Sequence, residues 1–266
     1  MKSTAPDVQL LRYPYRDLHA CSAFPGRKWL QPGDALVWEA QSMEAPRSVS
    51  ERPGGLSLIV ILPEAAGDIS ESREVIGRLG LRPHGVLPPG SRFSPEDLAE
   101  VLRRPSIDLA ADATEYLRWR GIHLGRGTVR LVRNILDLSA DLRSVAAASR
   151  SLYVSRRALG RHMSSRGLPV PSHWLQIGRL LRVLYRLQNT TESVGSVGLS
   201  LGYPDGFSLS NQMERLTGHR PSLVRERFGW EWFFECWLRR EASAGNFGPS
   251  RQTPTPYEGL DHTTAA

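Results

Sequence analysis

The sequence predicts an α+β protein. A small α/β N-terminal region is followed by an all-α region, in which two short helices joined by a turn occur twice around one long helix. Apolar runs with the length and composition of strands are confined to the first half of the chain, whereas apolar positions at helical spacing dominate the second half. Turns containing glycine and proline interrupt this helical pattern at similar places in its two halves.

The N-terminal part begins without a clear period. Residues 1–30 mix proline, arginine and aromatic residues and are predicted to form an irregular arm. A small α/β domain is predicted over residues 31–105, with strands at 35–38 and 56–62. The second strand, LSLIVIL, is apolar enough to be buried on both faces.

Two strand–helix pairs complete this predicted domain. Residues 70–79 form an amphipathic pattern that places Ile76 and Leu79 inward, and a short strand is predicted at 84–87. Ser94 then precedes a proline at the first helical position, which is typical of an N-cap. The order of elements resembles a truncated, degenerate receiver-like fold, but no phosphoacceptor aspartate can be placed, so we expect a scaffold or dimerisation domain.

The remaining residues are predicted to be helical as far as the C-terminal tail. Residues 106–125 are expected to form a helical linker and residues 126–242 a domain built only of helices, beginning with a helix at 127–140. The tail, residues 243–266, is rich in glycine, proline, serine and threonine and is predicted to be disordered.

Composition limits the class of protein. The chain has 266 residues, of which 40% are apolar, and it contains no apolar run of the roughly 18 residues that a membrane span needs. Its first residues lack the order of a secretory signal, so we expect a cytoplasmic location and no membrane partner. Two cysteines, Cys21 and Cys236, are too few for a disulfide framework or a multi-cysteine metal site.

The positive charge is concentrated in one part of the chain. Residues 126–242 contain 18 arginines and 9 acidic residues, whereas each of the flanking segments carries a net charge of −1. The planar donor group of arginine suits phosphates and the guanine edge, so double-stranded DNA is the predicted partner.

The first short helix pair carries most of this prediction. Residues 142–154 form a small-residue helix with a tight connection, and Ser155 stands where an N-cap belongs. The following helix, residues 155–165, has the layout of a recognition helix in the major groove. Its outward, DNA-facing positions are Arg156, Arg157, Gly160 and Arg161.

A long helix and a second short pair follow. The long helix is predicted over residues 172–189 and the second pair at 193–201 and 206–216, joined by Gly-Tyr-Pro-Asp. Three arginines of the long helix share one face, which makes them either candidate phosphate contacts or an ordinary solvated stripe. They are Arg179, Arg182 and Arg186.

The second pair carries the most specific motif, GYPDGFSLSNQMERLTGHRPSLVR. With it, residues 142–227 resemble the AraC/XylS family of bacterial transcription regulators, whose DNA-binding region has two helix-turn-helix motifs joined by a long helix. The landmarks of the resemblance are Val197, Gly202, Tyr203, Leu209, Met213, Gly218 and Pro221, with Leu159 and Arg161 in the first motif. The resemblance implies base-facing positions in the second motif at Gly206, Phe207, Ser210 and Asn211.

Some residues depart from the family pattern. Asn211 stands where the family commonly has arginine, and Tyr153 where the first turn often has glycine. Ser149 replaces a close-packing alanine and Thr217 an aromatic residue. We therefore expect the second motif to discriminate less between DNA sequences than the first, through contact of Phe207 with a thymine methyl group or through phosphate contacts.

An aromatic segment, FGWEWFFECWLRR, follows the second motif at residues 228–240. Helical spacing places Trp230, Phe233, Phe234 and Trp237 on one stripe, which we expect to pack on the protein's own core. The alternative is a contact with a second copy of the chain or with RNA polymerase.

The predicted function is that of a sequence-specific DNA-binding transcription regulator, which inserts helices 155–165 and 206–216 into the major groove and acts as a homodimer. A DNA-processing enzyme is disfavoured, because the seven histidines show no metal-ligand spacing and no phosphate-binding loop occurs. No catalytic residue, metal or cofactor is therefore predicted, and the residues do not indicate an effector. The alternative is a protein-interaction module with a degenerate, mainly non-specific DNA-binding fold.

Overall fold

A computed structural model describes residues 8–21, 30–41, 44–64, 69–90 and 92–248. The chain forms two compact units. Among the described residues, the N-terminal unit contains those up to Arg104 together with Arg227–Trp232, and the C-terminal unit contains Pro105–Glu226 and residues 233–248.

The N-terminal unit is built on a five-stranded mixed sheet. Its strands are β1 (Val8–Leu11), β2 (Leu18–Ala20), β3 (Ala35–Glu39), β4 (Ser57–Ile61) and β5 (Gly85–Leu87). They lie in the order β2-β1-β3-β4-β5. Strand β1 is antiparallel to both of its neighbours, whereas β3, β4 and β5 are parallel.

Helices cover the sheet on both faces. The helices of this unit are α1 (Arg47–Ser50), α2 (Ile69–Arg78) and α3 (Pro95–Arg103). Because neighbouring strand residues point to opposite faces, Trp38 packs in one core layer with Ile76, and Val37 in the other with Leu98. The predicted N-cap is confirmed, since the Ser94 hydroxyl accepts from the Asp97 amide at 3.2 Å.

Three predictions for this region are wrong. Residues 1–30 are not an irregular arm throughout, because β1 pairs with β3 and buries Leu10 and Leu11 in the two core layers. The fold is not receiver-like, because the sheet of that fold is parallel whereas β1 and β2 form an antiparallel pair. Leu79 is not inward but 45% exposed, because α2 ends at Arg78 and the chain turns at Gly80.

The C-terminal unit is helical, as predicted. Its helices are α4 (Leu109–Trp119), α5 (Arg126–Leu138), α6 (Val145–Ser151), α7 (Arg156–Ser164), α8 (Pro171–Asn189), α9 (Val194–Ser200), α10 (Gly206–Thr217), α11 (Pro221–Arg227) and α12 (Trp230–Ser243). The first residues of α12 belong to the N-terminal unit. Residues 106–125, predicted as a linker, lie in this unit because α4 buries Tyr116 and Leu117. No helix in the described part of the chain has the length and hydropathy to cross a membrane.

The side chains of the aromatic stripe of α12 are buried, as expected. All four side chains are at most 3% exposed. In the C-terminal unit, Phe234 meets Tyr116 with ring centroids 5.6 Å apart, and Trp237 meets Trp174 at 4.7 Å. Phe247 is also buried and lies 6.3 Å from the Trp237 ring. The predicted disorder of residues 249–266 falls outside the described residues.

Candidate nucleic-acid interface

The first helix-turn-helix motif consists of α6 and α7. Ser144 caps helix α6, since its hydroxyl accepts from the Ala147 amide at 3.1 Å, and the helix buries Ala148 and Ser149. The Ser149 hydroxyl donates to the Val145 carbonyl at 2.7 Å, so this serine satisfies its polar group within its own helix. A serine in place of a close-packing alanine is therefore compatible with the motif.

Helix α7 separates its buried and exposed residues cleanly. Ser155 caps it by accepting from the Ala158 amide at 3.1 Å, and Leu159 and Met163 are buried. The opposite face is exposed and carries Arg156, Arg157 and Arg161.

The guanidinium groups of these three arginines make no hydrogen bond or ion pair with any described residue. Gly160 lies among them, and a Cβ at this position would meet nothing within 4 Å. On the same helix, burial lowers the pKa of the His162 imidazole, and the neighbouring Arg166 lowers it further.

The arginines of α8 are placed differently, because each guanidinium has a partner within the C-terminal unit. Arg182 donates to the Leu136 carbonyl at 3.1 Å, at the end of α5. Arg186 binds both carboxylate oxygens of Glu192 at 2.7 and 3.1 Å, which lowers the pKa of that carboxyl. Arg179 lies 5.7 Å from the centre of the Tyr203 ring. These arginines connect α8 to α5 and to the second motif.

The second motif, α9 and α10, repeats the local geometry of the first. Ser193 caps α9 by accepting from the Ser196 amide at 3.1 Å. Gly198 allows close packing, because a Cβ there would lie 3.3 Å from the Leu209 side chain. Tyr203 is 8% exposed and anchors the turn, and its burial raises its pKa to about 12, although Arg179 opposes the shift.

Helix α10 presents a surface with less charge than α7. Leu209 and Met213 are buried in the same way as Leu159 and Met163 of α7, while Phe207 is 74% exposed and Asn211 is exposed. The Thr217 hydroxyl, where an aromatic residue is usual, accepts from the His219 amide at 3.1 Å and so helps to end the helix.

Two other predicted contact positions in α10 are directed towards the protein. A Cβ at Gly206 would lie only 2.8 Å from the Gly195 Cα, so this glycine allows α10 to approach α9. The Ser210 hydroxyl donates to the Gly206 carbonyl at 2.7 Å. Of the four predicted positions in α10, Phe207 and Asn211 are therefore the ones that present side chains to solvent.

Helices α7 and α10 also differ in the charge of their caps. The cap of α7 is the neutral Ser155, whereas the cap of α10 is Asp205, whose carboxylate accepts from the Ser208 amide at 2.6 Å. This hydrogen bond lowers the pKa of Asp205, so the carboxylate is ionised at neutral pH. A negative charge at this helix end opposes the approach of a phosphate.

A further electrostatic feature of this region is visible in the sequence alone. Residues 142–191, which span the first motif and α8, contain nine arginines and no aspartate or glutamate. Two other features need the structure: the internal partners of the α8 arginines, and the exposure of Tyr153 in the first turn, which is 96%. Among the described residues, no three His, Cys, Asp or Glu side chains are placed to hold a metal ion together.

Comparison with known proteins assigns this region. Residues 148–227 match the family model described as "Helix-turn-helix domain". Among solved structures, the chain is similar to the transcriptional regulator CdpR from Pseudomonas aeruginosa, with 23% identity and a TM-score of 0.34. That match covers 65% of this chain, and the chain spans just over half (56%) of the length of the matched protein.

No curated protein matches the chain. The matched residues begin within α6 and include α7, α8 and the whole second motif. Each motif has two capped helices, a tight turn and a buried Leu and Met pair in its second helix. Residues 148–227 form a helix-turn-helix domain of the AraC type, which is a DNA-binding domain of transcription regulators.

Proposed function

We propose that this protein is a sequence-specific regulator of transcription, and that α7 enters the major groove of its DNA site. The observation that carries the proposal is the exposed face of α7. Arg156, Arg157 and Arg161 share this face, and their guanidinium groups have no partner among the described residues. A guanidinium in the major groove can donate two hydrogen bonds to the O6 and N7 atoms of guanine.

Gly160 supports the same placement of DNA. It lies among the three arginines, and its missing side chain leaves open space in the middle of the face. A duplex can approach the helix backbone at this point more closely than a larger residue would permit. The arginines then flank the approach on both sides along the helix.

The charge distribution favours a polyanion at the first motif. The segment without acidic residues, 142–191, contains all three arginines of the α7 face. No carboxylate within this segment competes with DNA phosphates for the guanidinium groups. Binding is therefore expected to weaken as the salt concentration rises, because the bound arginines release counterions from the DNA.

We assign the second motif a smaller part in sequence discrimination. Phe207 offers an apolar contact to a thymine methyl group, and Asn211 can bind a base edge or a phosphate. Gly206 contributes close packing of α10 on α9, and the Ser210 hydroxyl is bonded within its own helix, in place of side-chain contacts with DNA. Contact of Arg179, Arg182 and Arg186 with phosphates stays a prediction, and their internal partners favour a role in positioning α8.

The second candidate function is an interaction module that binds DNA without sequence preference. The low charge of the exposed α10 face favours it, as does the carboxylate of Asp205 at the start of that helix. Assembly into a homodimer and contact with RNA polymerase stay predictions. The side chains of the aromatic stripe of α12 are buried, which disfavours this stripe as the surface for either contact.

Selection of bound duplexes from a random DNA pool separates the two functions. The selected duplex and a scrambled duplex are then compared by fluorescence anisotropy at several salt concentrations. We expect a preference of several kcal/mol for the selected site, and Arg157→Ala should reduce this preference by about 1–3 kcal/mol. Equal, salt-sensitive binding to every duplex would contradict the proposal and support the interaction module.

A further inference from the structure

The turns of the two motifs have the same backbone geometry. In the first, the Tyr153 amide donates to the Arg150 carbonyl at 3.0 Å, and in the second the Gly202 amide donates to the Leu199 carbonyl at 3.1 Å. Both turn residues are left-handed, with φ of 55° at Tyr153 and 85° at Gly202. Glycine adopts this conformation without steric cost, whereas tyrosine adopts it at a steric cost.

Packing of the side chain does not offset this cost. The Tyr153 side chain is 96% exposed, so it contributes almost nothing to the core. The aromatic residue that anchors the second turn, Tyr203, occupies the next position and is 8% exposed. Tyr153 is thus not the counterpart of that anchor, for which the corresponding residue in the first motif is Val154.

The surroundings of Tyr153 indicate the chemistry of its partner. It lies two residues before Ser155, the cap of α7, and its nearest charged neighbours along the chain are Arg150, Arg156 and Arg157. All belong to the segment without acidic residues. The nearest charged residues on both sides of this exposed phenol along the chain are therefore arginines, which suits a partner with a phosphodiester backbone.

We infer that Tyr153 is a further DNA-contact residue of the first motif. Its ring packs on a deoxyribose, and its hydroxyl donates a hydrogen bond to a phosphate oxygen beside the base pairs that α7 faces. This inference rests on the proposed function, because it requires DNA to lie along α7. A tyrosine at the left-handed position then contributes to binding at the expense of the turn, as strained residues at functional sites commonly do.

The test uses the full chain and the duplex selected above. Tyr153→Gly removes the side chain and suits the left-handed turn, and Tyr153→Phe removes only the hydroxyl. Ile107→Ala is the control, because it shortens a fully exposed apolar side chain outside the helix-turn-helix domain. Binding is measured by anisotropy and folding by the midpoint of urea unfolding.

We expect Tyr153→Gly to bind about tenfold more weakly and Tyr153→Phe about fivefold, since a single hydrogen bond has this order of net effect. The urea midpoint should not fall in either variant, and Ile107→Ala should bind like the wild type. The dependence of affinity on salt should be unchanged, because tyrosine carries no charge, whereas Arg157→Ala should reduce its slope by about one.

A duplex with single neutral methylphosphonate groups identifies the phosphate. At one position the wild type should lose affinity while Tyr153→Phe loses none, which is the non-additivity expected of a direct contact. The inference is overturned if Tyr153→Phe binds like the wild type, or if the variants lose RNA polymerase binding but keep DNA binding. The proposed function is tested separately, because it fails when the wild type itself shows no preferred duplex.

Discussion

Arg120 binds the carboxylate of Glu235 with two hydrogen bonds, of 2.9 Å from Nε and 2.8 Å from a terminal nitrogen. Tyr116 donates to the same carboxylate at 2.9 Å and Arg239 at 3.0 Å. The Glu235 side chain is fully buried. These contacts attach α12 to α4 inside the C-terminal unit, the unit that also contains both helix-turn-helix motifs.

Removal of this carboxylate should therefore be costly. We expect Glu235→Ala to lower the free energy of unfolding by about 3–5 kcal/mol, because Arg120 would remain buried without its counter-charge. Urea unfolding followed by tryptophan fluorescence measures the change. Glu74→Ala is the control, since it breaks an exposed pair with Arg78 and should cost less than about 0.5 kcal/mol. Equal losses of stability in Glu235→Ala and Glu74→Ala would contradict the stabilising role of the buried Glu235 carboxylate.

The buried Glu231 should make the stability of the N-terminal unit depend on pH. Burial raises the pKa of this carboxyl, but the Arg82 and His84 side chains outweigh burial and bring the pKa to about 2, below its usual 4.5. The ionised form is thus favoured by folding. Its contribution to stability is present above pH 4.5 and is lost as the pH falls towards 2.

Between pH 6 and pH 3 we expect the wild type to lose about 2 kcal/mol through this group. Glu231→Gln should lack this part of the pH dependence, and Glu51→Gln, at an exposed pair with Arg47, should retain it. Urea unfolding at the two pH values provides the measurement. If the wild type and Glu231→Gln lose the same stability on acidification, the pKa of Glu231 is not depressed.

Two glycines, one in α7 and one in α10, should respond in opposite ways to substitution by alanine. At Gly160 a Cβ meets open space, so Gly160→Ala should raise the free energy of unfolding by about 0.5–1 kcal/mol through helix propensity. At Gly206 the Cβ would press on Gly195, and Gly206→Ala should cost about 1–3 kcal/mol. Thermal unfolding of both variants distinguishes them, and a stabilising Gly206→Ala would contradict the close approach of α9 and α10.

Substitution of an arginine on α8 should affect stability, whereas substitution of an arginine on α7 should affect DNA sequence preference. Arg182→Ala removes a donor to the Leu136 and Asp137 carbonyls and should lower the free energy of unfolding by about 1 kcal/mol, with little change in DNA sequence preference. Arg157→Ala should have the opposite profile, because its guanidinium has no partner among the described residues. Anisotropy measures the DNA sequence preference of both variants, and urea unfolding measures their stability. A larger loss of preference in Arg182→Ala would assign base contact to α8.

The second motif should discriminate weakly between DNA sequences. Phe207→Ala and Asn211→Ala are each expected to reduce the preference for the selected site by less than about 1 kcal/mol, below the value for Arg157→Ala. Competition between selected and single-base-changed duplexes measures the difference. A loss at Phe207 or Asn211 as large as that at Arg157 would show that both motifs discriminate equally.

The helical architecture of the C-terminal unit could be predicted because its signals are local. Each of these signals spans only one or two helical turns of sequence. They are apolar residues at helical spacing, serine or aspartate caps, and glycine turns. Local pattern was insufficient for β1 and β2, which are short and become strands by pairing with each other and with β3. A short strand is stabilised by its neighbours in the sheet, and those neighbours are distant in the sequence.

The sequence by itself determined the order of most elements, the two motifs and the charge of the first motif. It also determined which residues lie on the outer face of α7, because helical periodicity and a terminal cap are sufficient for that. Tertiary structure alone decided which arginines keep an unpaired guanidinium within the described residues, because Arg182 and Arg186 find partners on other elements while Arg157 does not. A hydrogen bond between distant parts of the chain depends on how helices pack, and packing is not encoded in the spacing of any single helix.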